Sequence, residues 1–209
     1  MIEREVKLPL SDPDALRARL AALGSPRVAF FREENRFFDL PGDPLRAAGS
    51  ALRLRTETPL PAPGADAGGV GGAEGAGGPA RHYLTFKGPR VPAAAGVKAR
   101  EEVEADVADP GDAAALLRAL GHRLRFVFEK RRERHRLGPC VVELDELPGL
   151  GFFVEVEGPG EAEIEAALRR LGLEGAPRCP EGYLSLLVAG GRDAVGAEGG
   201  PAFRFDGPR

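Results

Sequence analysis

Charged and apolar residues alternate along most of this chain. From Glu3 to Lys7 an acid or a lysine stands at every second position, with Ile2, Val6 and Leu8 among the residues between. Alternate side chains of a strand share one face, so Glu3, Glu5 and Lys7 project together. The same period returns in 51–55, where Leu52 and Leu54 alternate with Arg53 and Arg55. In 81–88, Leu84 and Phe86 oppose Tyr83, Thr85 and Lys87. In 98–107, Arg100, Glu102 and Glu104 oppose Ala99, Val103 and Ala105. Residues 123–137 place Lys130 and Arg132 on one face, and 140–146 set Glu143 and Asp145 against Val142 and Leu144. In 151–158, Phe153, Glu155 and Glu157 oppose Phe152, Val154 and Val156. With the phenylalanine-rich stretch 27–39, eight strands are predicted.

Helical spacing interrupts this pattern at four places. Ser11-Asp12-Pro13 is a helix start, followed by Leu16, Leu20 and Leu23 and stopped by Gly24. Asp109-Pro110-Gly111-Asp112 opens a second helix, expected to bury Leu116, Leu117 and Leu120 before Gly121. A third runs over 161–171, acidic at its start and basic at its end, as the helix dipole favours. A short fourth covers 183–188. Pro41-Gly42-Asp43-Pro44 reads as a turn. Residues 58–80, almost all Gly, Ala and Pro, read as a disordered insertion, and 190–209 as a disordered tail. One domain over 1–189 is the expected organisation.

An antiparallel sheet with one wet face would also alternate. Three features point instead to an enclosed charged face. The charged positions are nearly free of Ser, Thr and Gln. Acids recur in close pairs, Glu3/Glu5, Glu102/Glu104 and Glu155/Glu157, which repel without a counterion. The helical stripes also need an apolar surface to cover, and the other strand faces supply it. The predicted fold is therefore α+β: a closed antiparallel eight-stranded β-barrel with a charged lumen and helices packed on the outside. Such a lumen, holding both cations and paired carboxylates, suits a triphosphate with Mg²⁺ or Mn²⁺.

Composition narrows the classes. The net charge of −3 argues against nucleic-acid binding through bulk charge. No run is apolar enough to span a bilayer, and the charged N-terminus has no signal-peptide segment. The two cysteines, Cys140 and Cys179, have neither metal-ligand spacing nor a disulfide framework, so a cytoplasmic protein is expected. His82, His122 and His135 lack ligand spacing, and the run Arg131, Glu133 and Arg134 reads as solvated. Only four of the 29 basic residues are lysines, and all four, Lys7, Lys87, Lys98 and Lys130, fall on alternating charged strands. A chain that otherwise writes its cations as arginine keeps lysine where a compact ammonium matters.

In sequence order, the motifs resemble the CYTH superfamily, the triphosphate tunnel metalloenzymes, and within it the class IV adenylate cyclase-like branch. The opening Glu-x-Glu-x-Lys stands at Glu3, Glu5 and Lys7, and Leu-Arg-x-Arg at Leu52 to Arg55. Leu84-Thr85-Phe86-Lys87-Gly88-Pro89 is similar to that branch's Leu-Thr-Tyr-Lys-Gly-Pro. Arg-x-Glu-x-Glu falls on Arg100, Glu102 and Glu104, and Lys-x-Arg on Lys130 and Arg132. Leu144-Asp145, Leu150-Gly151 and Phe153-Val154-Glu155-Val156-Glu157 follow, and Tyr183-Leu184-Ser185-Leu186-Leu187 resembles the closing motif, with Gly182 where Ser is usual.

The resemblance implies that Lys7, Arg53, Arg55, Lys87, Arg100, Lys130 and Arg132 bind phosphoryl oxygens, with Lys7, Lys87 and Lys130 catalytic. It implies that Glu3, Glu5, Glu155 and Glu157 carry Mg²⁺ or Mn²⁺, with Glu102, Glu104 and Asp145 as further candidates. The implied substrate is a nucleoside, organic or inorganic triphosphate; neither nucleic acid nor a membrane is an expected partner, and a homodimer is expected by analogy alone. The implied reaction is conversion of ATP to cyclic AMP and pyrophosphate. A triphosphatase uses the same grip, and a non-catalytic sensor of a phosphorylated metabolite is a third reading.

Overall fold

The computed structural model describes residues 2–61, 78–91, 97–189 and 202–205. Its strands are β1 (Ile2–Leu10), β2 (Arg27–Asp39), β3 (Ala51–Pro59), β4 (Arg81–Val91), β5 (Lys98–Val107), β6 (Arg123–Leu137), β7 (Cys140–Leu147), β8 (Gly151–Glu157) and β9 (Ala202–Phe203). The helices are α1 (Pro13–Ala22), α2 (Pro44–Ala47), α3 (Pro110–Ala119), α4 (Glu161–Leu171) and α5 (Tyr183–Ala189). The order β2-β3-β4-β5-β1-β8-β7-β6 closes on itself because β2 also pairs with β6. The result is the closed eight-stranded antiparallel barrel that the alternation predicts, with the helices outside. The two longest strands make the closing seam, from Arg27 opposite His135 to Asp39 opposite Arg123.

The outward faces are apolar and carry the helices. Val6, Leu8, Val142, Leu144, Val154 and Val156 form one core with Leu16 and Leu20 of α1 and Ile164, Ala167, Leu168 and Leu171 of α4. Gly158 permits this approach, since a Cβ there would lie 2.9 Å from the Cys140 sulfur and 3.0 Å from Ile164. A second core joins α3 to Phe38 and Leu54. The helix starts follow their capping residues: Asp12 accepts from the Ala15 amide, and Asp109 from those of Gly111 and Asp112. Among the described residues no helix is long and apolar enough to cross a membrane.

Several expectations are corrected. In α3 only Leu117 of the three leucines is buried; Leu116 and Leu120 are more than 60% exposed. Ala114 and Leu117 form the contact stripe, and the other two leucines are rotated off it. The turn at 41–44 runs into the short helix α2. Residues 58 and 59, assigned to the insertion, belong to β3; residues 62–77 of that stretch lie outside the described residues. Most of the tail lies outside them too, but Ala202 and Phe203 form β9, parallel to Val127 and Phe128 of β6. Nor is the run 131–134 solvated: Glu133 is buried on the outer face between Arg17 of α1 and Arg27, and Arg134 turns inward to Glu143.

Candidate functional site in the barrel lumen

Register decides which side chains meet inside. Residues directly opposite in an antiparallel pair project to the same face, so one inward residue specifies its neighbours around the barrel. Glu5 faces Glu157, Lys7 faces Glu155, and Glu155 faces Glu143. Glu143 faces Arg134, and Asp145 faces Arg132. Across the seam, Lys130 faces Glu33 and Phe128 faces Asn35. Asn35 faces Arg55, which faces Tyr83; Arg53 faces Thr85, which faces Glu104. Lys87 faces Glu102, and Glu3 faces Arg100. The inward rows of eight strands thus form one charged interior around a cavity of about 1080 Å³.

Of the residues singled out in the sequence, Glu3, Glu5, Lys7, Arg53, Arg55, Lys87, Arg100, Glu102, Glu104, Lys130, Arg132, Glu155 and Glu157 line this cavity. Asp145 does not. It is fully enclosed; Arg132 donates to both its oxygens (2.6 and 2.5 Å), while Lys130 (3.2 Å) and Tyr183 (2.8 Å) donate to one of them.

Sequence reasoning missed several contributors. Glu33 is wholly buried, 3.5 Å from Lys130 and 3.8 Å from Arg53. Burial opposes its ionisation, but Lys130, Arg132, Arg55 and Arg53 hold its carboxyl well below the usual range. Asn35 accepts from Arg53 at 3.2 Å. The doubled aromatics Phe30-Phe31 and Phe37-Phe38 obscure the period of β2; the acid and amide at Glu33 and Asn35 were its visible signal. Glu57, Tyr83 and Arg134 line the cavity too.

Tyr183, the first residue of α5, closes one side. Its ring packs edge-on against Phe153 (5.4 Å) and Phe128 (6.5 Å). The Lys7 ammonium stands 3.9 Å from the ring centroid and that of Lys130 5.2 Å. Burial, then Asp145, pushes the phenol well above its ordinary range, so it stays neutral and donates to that carboxylate. Burial pulls Lys7 down to about 8, against the pull of Glu155.

The lumen charges divide into two kinds. Arg132 is bound by Asp145, Glu155 and Glu143, and Arg55 by Glu104 at 2.8 Å. Lys87 bridges Glu3 (2.9 Å) and Glu102 (2.7 Å). Around Glu157 the balance is different. Burial and the carboxylates of Glu143, Glu3 and Glu5 push it up to about 7. Among the described residues no three acidic, histidine or cysteine side chains already converge as a metal cage. The donors nevertheless fit a hard divalent ion: they are carboxylate oxygens on neighbouring strands whose mutual repulsion such an ion relieves.

Comparison with known proteins agrees with this architecture. The CYTH domain family model matches residues 1–176. The adenylate cyclase CyaB of Aeromonas hydrophila is 32% identical over 156 residues, 74% of this chain and 67% of that protein. Among solved structures, the PH1012 protein of Pyrococcus horikoshii OT3 has a TM-score of 0.67 at 24% identity, covering 88% of this chain and 98% of that one. HpAC1 from Hippeastrum, for which a dominant triphosphatase activity is described, has a TM-score of 0.62 at 22% identity, covering 90% and 96%. The two structures speak for the fold alone. The family match over most of the chain, together with the Aeromonas relative, shows that this protein belongs to the CYTH domain family.

Proposed function

We propose that the lumen binds ATP with Mg²⁺ or Mn²⁺ and converts it to cyclic AMP and pyrophosphate. The observation that carries this reading is the enclosed interior in which cations and carboxylates from all the barrel strands share one cavity. A polyanion needs the cations, and a metal-bound polyanion needs both signs. In this reading Lys7, Arg53, Arg55, Lys87, Arg100, Lys130 and Arg132 hold phosphoryl oxygens and offset the charge that develops on them. The ribose 3′ oxygen attacks the α-phosphorus, the α-phosphorus–oxygen bond to pyrophosphate breaks, and the hydroxyl proton passes to water. Glu3, Glu5 and Glu157 would hold the metal, with Glu155, which Arg132 already binds, and Glu102 and Glu104 adjoining. When bound, the ion neutralises phosphoryl charge and acidifies the attacking hydroxyl. Asp145 is left out of the metal set, because Arg132, Lys130 and Tyr183 already occupy its oxygens. Its role is to orient the two cations.

A second reading is hydrolysis at the γ-phosphorus. The activity described for HpAC1 favours it, and the same grip serves it. Product analysis separates the two. Purified protein is given ATP, thiamine triphosphate and inorganic triphosphate in turn, with either metal. Cyclic AMP with pyrophosphate is the expected result from ATP. Orthophosphate alone replaces the cyclase by the triphosphatase, and saturable binding without turnover replaces both by a sensor.

A further inference from the structure

Most cations that line the lumen have a carboxylate within 4 Å; among the described residues Arg90 and Arg100, cross-strand neighbours at its mouth, do not. The pairing of β4 with β5 runs Lys87 to Glu102 and then Arg90 to Arg100. Three steps along β4 therefore correspond to two along β5, which is a β-bulge at Gly88-Pro89. Without it, Arg90 would follow the even-numbered residues of β4 to the outer face with Leu84 and Phe86. The bulge restores it to the face of Lys87, and Arg90 lines the cavity. Proline suits the bulge because it has no amide hydrogen to leave unpaired.

The consequence is two arginines directly opposite each other. Cross-strand neighbours of this kind have Cβ atoms about 5 Å apart, and like charges there are destabilising. Among the described residues neither guanidinium has an ion-pair or hydrogen-bond partner. Arg53, Arg55, Lys87, Lys130 and Arg132 each have a carboxylate within 4 Å. Arg100 faces Glu3 on its other side, but both oxygens of that carboxylate are taken by Lys87, so a bulge that turns a second arginine inward against it is costly unless an anion lies between them. Two forked guanidiniums match the oxygens of a phosphoryl group better than a single carboxylate.

We infer that Arg90 and Arg100 form an outer anion subsite at the lumen mouth, which takes a phosphoryl group at the end of the triphosphate away from Lys7, Lys130 and Tyr183. This rests on the triphosphate reading and adds Arg90 to it as a binding residue. The test measures inorganic triphosphate binding by calorimetry, with thermal melting in parallel, for the wild type, Arg90→Ala and Arg90→Glu. Arg90→Ala is expected to bind triphosphate about tenfold more weakly, about 1.4 kcal/mol, with an unchanged or raised Tm because the repulsion is gone. Arg90→Glu is expected to pair with Arg100, to melt higher still and to bind weakest of the three. Unchanged triphosphate affinity in both variants overturns the inference and leaves the proposed function standing. A loss of affinity accompanied by a lower Tm also overturns it, since Arg90 is then structural. A wild type that does not bind triphosphate overturns the proposed function and the subsite together.

Discussion

Two walls of the same lumen treat charge in opposite ways. Along β6 and β7, Arg132, Lys130, Asp145 and Glu143 satisfy one another, with Glu33 entering from β2 and Tyr183 sealing the group. Along β1, β5 and β8, Glu3 is held by Lys87 and Glu5 by Lys98, but Glu157 is raised by its acidic neighbours and Arg100 stands opposite another arginine. Apart from Glu33, whose oxygens accept no hydrogen bond, the first wall is paired before a guest arrives. The second carries repulsion of both signs, which a metal-bound polyanion would relieve. Buried ion pairs are costly to desolvate and are stable only when every member is matched. The β6–β7 network therefore steadies its side of the barrel and positions Lys130 and Arg132, while the β1, β5 and β8 side retains the unmatched charges.

Breaking the completed wall is expected to have the largest effect. Asp145→Ala removes the carboxylate that Arg132, Lys130 and Tyr183 share, leaving Arg132 with Glu143 and Glu155 and Lys130 with Glu33, and is expected to cost about 3 kcal/mol, read by denaturant unfolding. A loss below 1 kcal/mol would show that the network is not what holds this wall. The unfinished wall is expected to respond differently. Glu5→Gln should weaken Mn²⁺ binding about tenfold, about 1.4 kcal/mol, as followed by electron paramagnetic resonance; it keeps a polar side chain opposite Lys98, so its stability loss should be smaller than that of Asp145→Ala. Unchanged Mn²⁺ affinity would remove Glu5 from the metal set.

The smallest effect concerns pH in the metal-free protein. Glu157 is raised from 4.5 to about 7 by burial and by Glu143, Glu3 and Glu5. Between those values the folded state holds more protons at this site than the unfolded state, so its contribution makes stability fall as pH rises from about 4.5 to about 7. Solvent reaches Glu157 and screens the repulsion, so the slope is shallow. Melting temperatures across that range, compared with Glu157→Gln, isolate it; identical slopes for the two proteins would contradict the assignment.

How much of this was legible depended on how local each signal is. Glu3, Glu5 and Lys7 declared a shared face because the side-chain period of a strand belongs to its own backbone. Helix starts at Asp12 and Asp109 were readable for the same reason. Glu33 stood out only as an acid two residues before Asn35 among doubled aromatics, and its closeness to Lys130 and Arg53 reveals its role. Leu116 and Leu120 misled because spacing marks a stripe but not which stripe meets the sheet. Glu133 looked solvated until α1 laid Arg17 across it. Asp145 matched a motif, yet its surroundings tie it to Arg132 and Tyr183.

By itself, then, the sequence determined the eight barrel strands and the charged face that most of them carry. Periodicity and capping act over a few residues and survive without knowledge of distant partners. Only the tertiary structure decided the seam of β2 on β6, the inward turn of Arg90 at the bulge, the β9 pairing and which charges are matched. Those outcomes depend on register between segments far apart in the chain, where a one-residue shift sends a side chain to the opposite face.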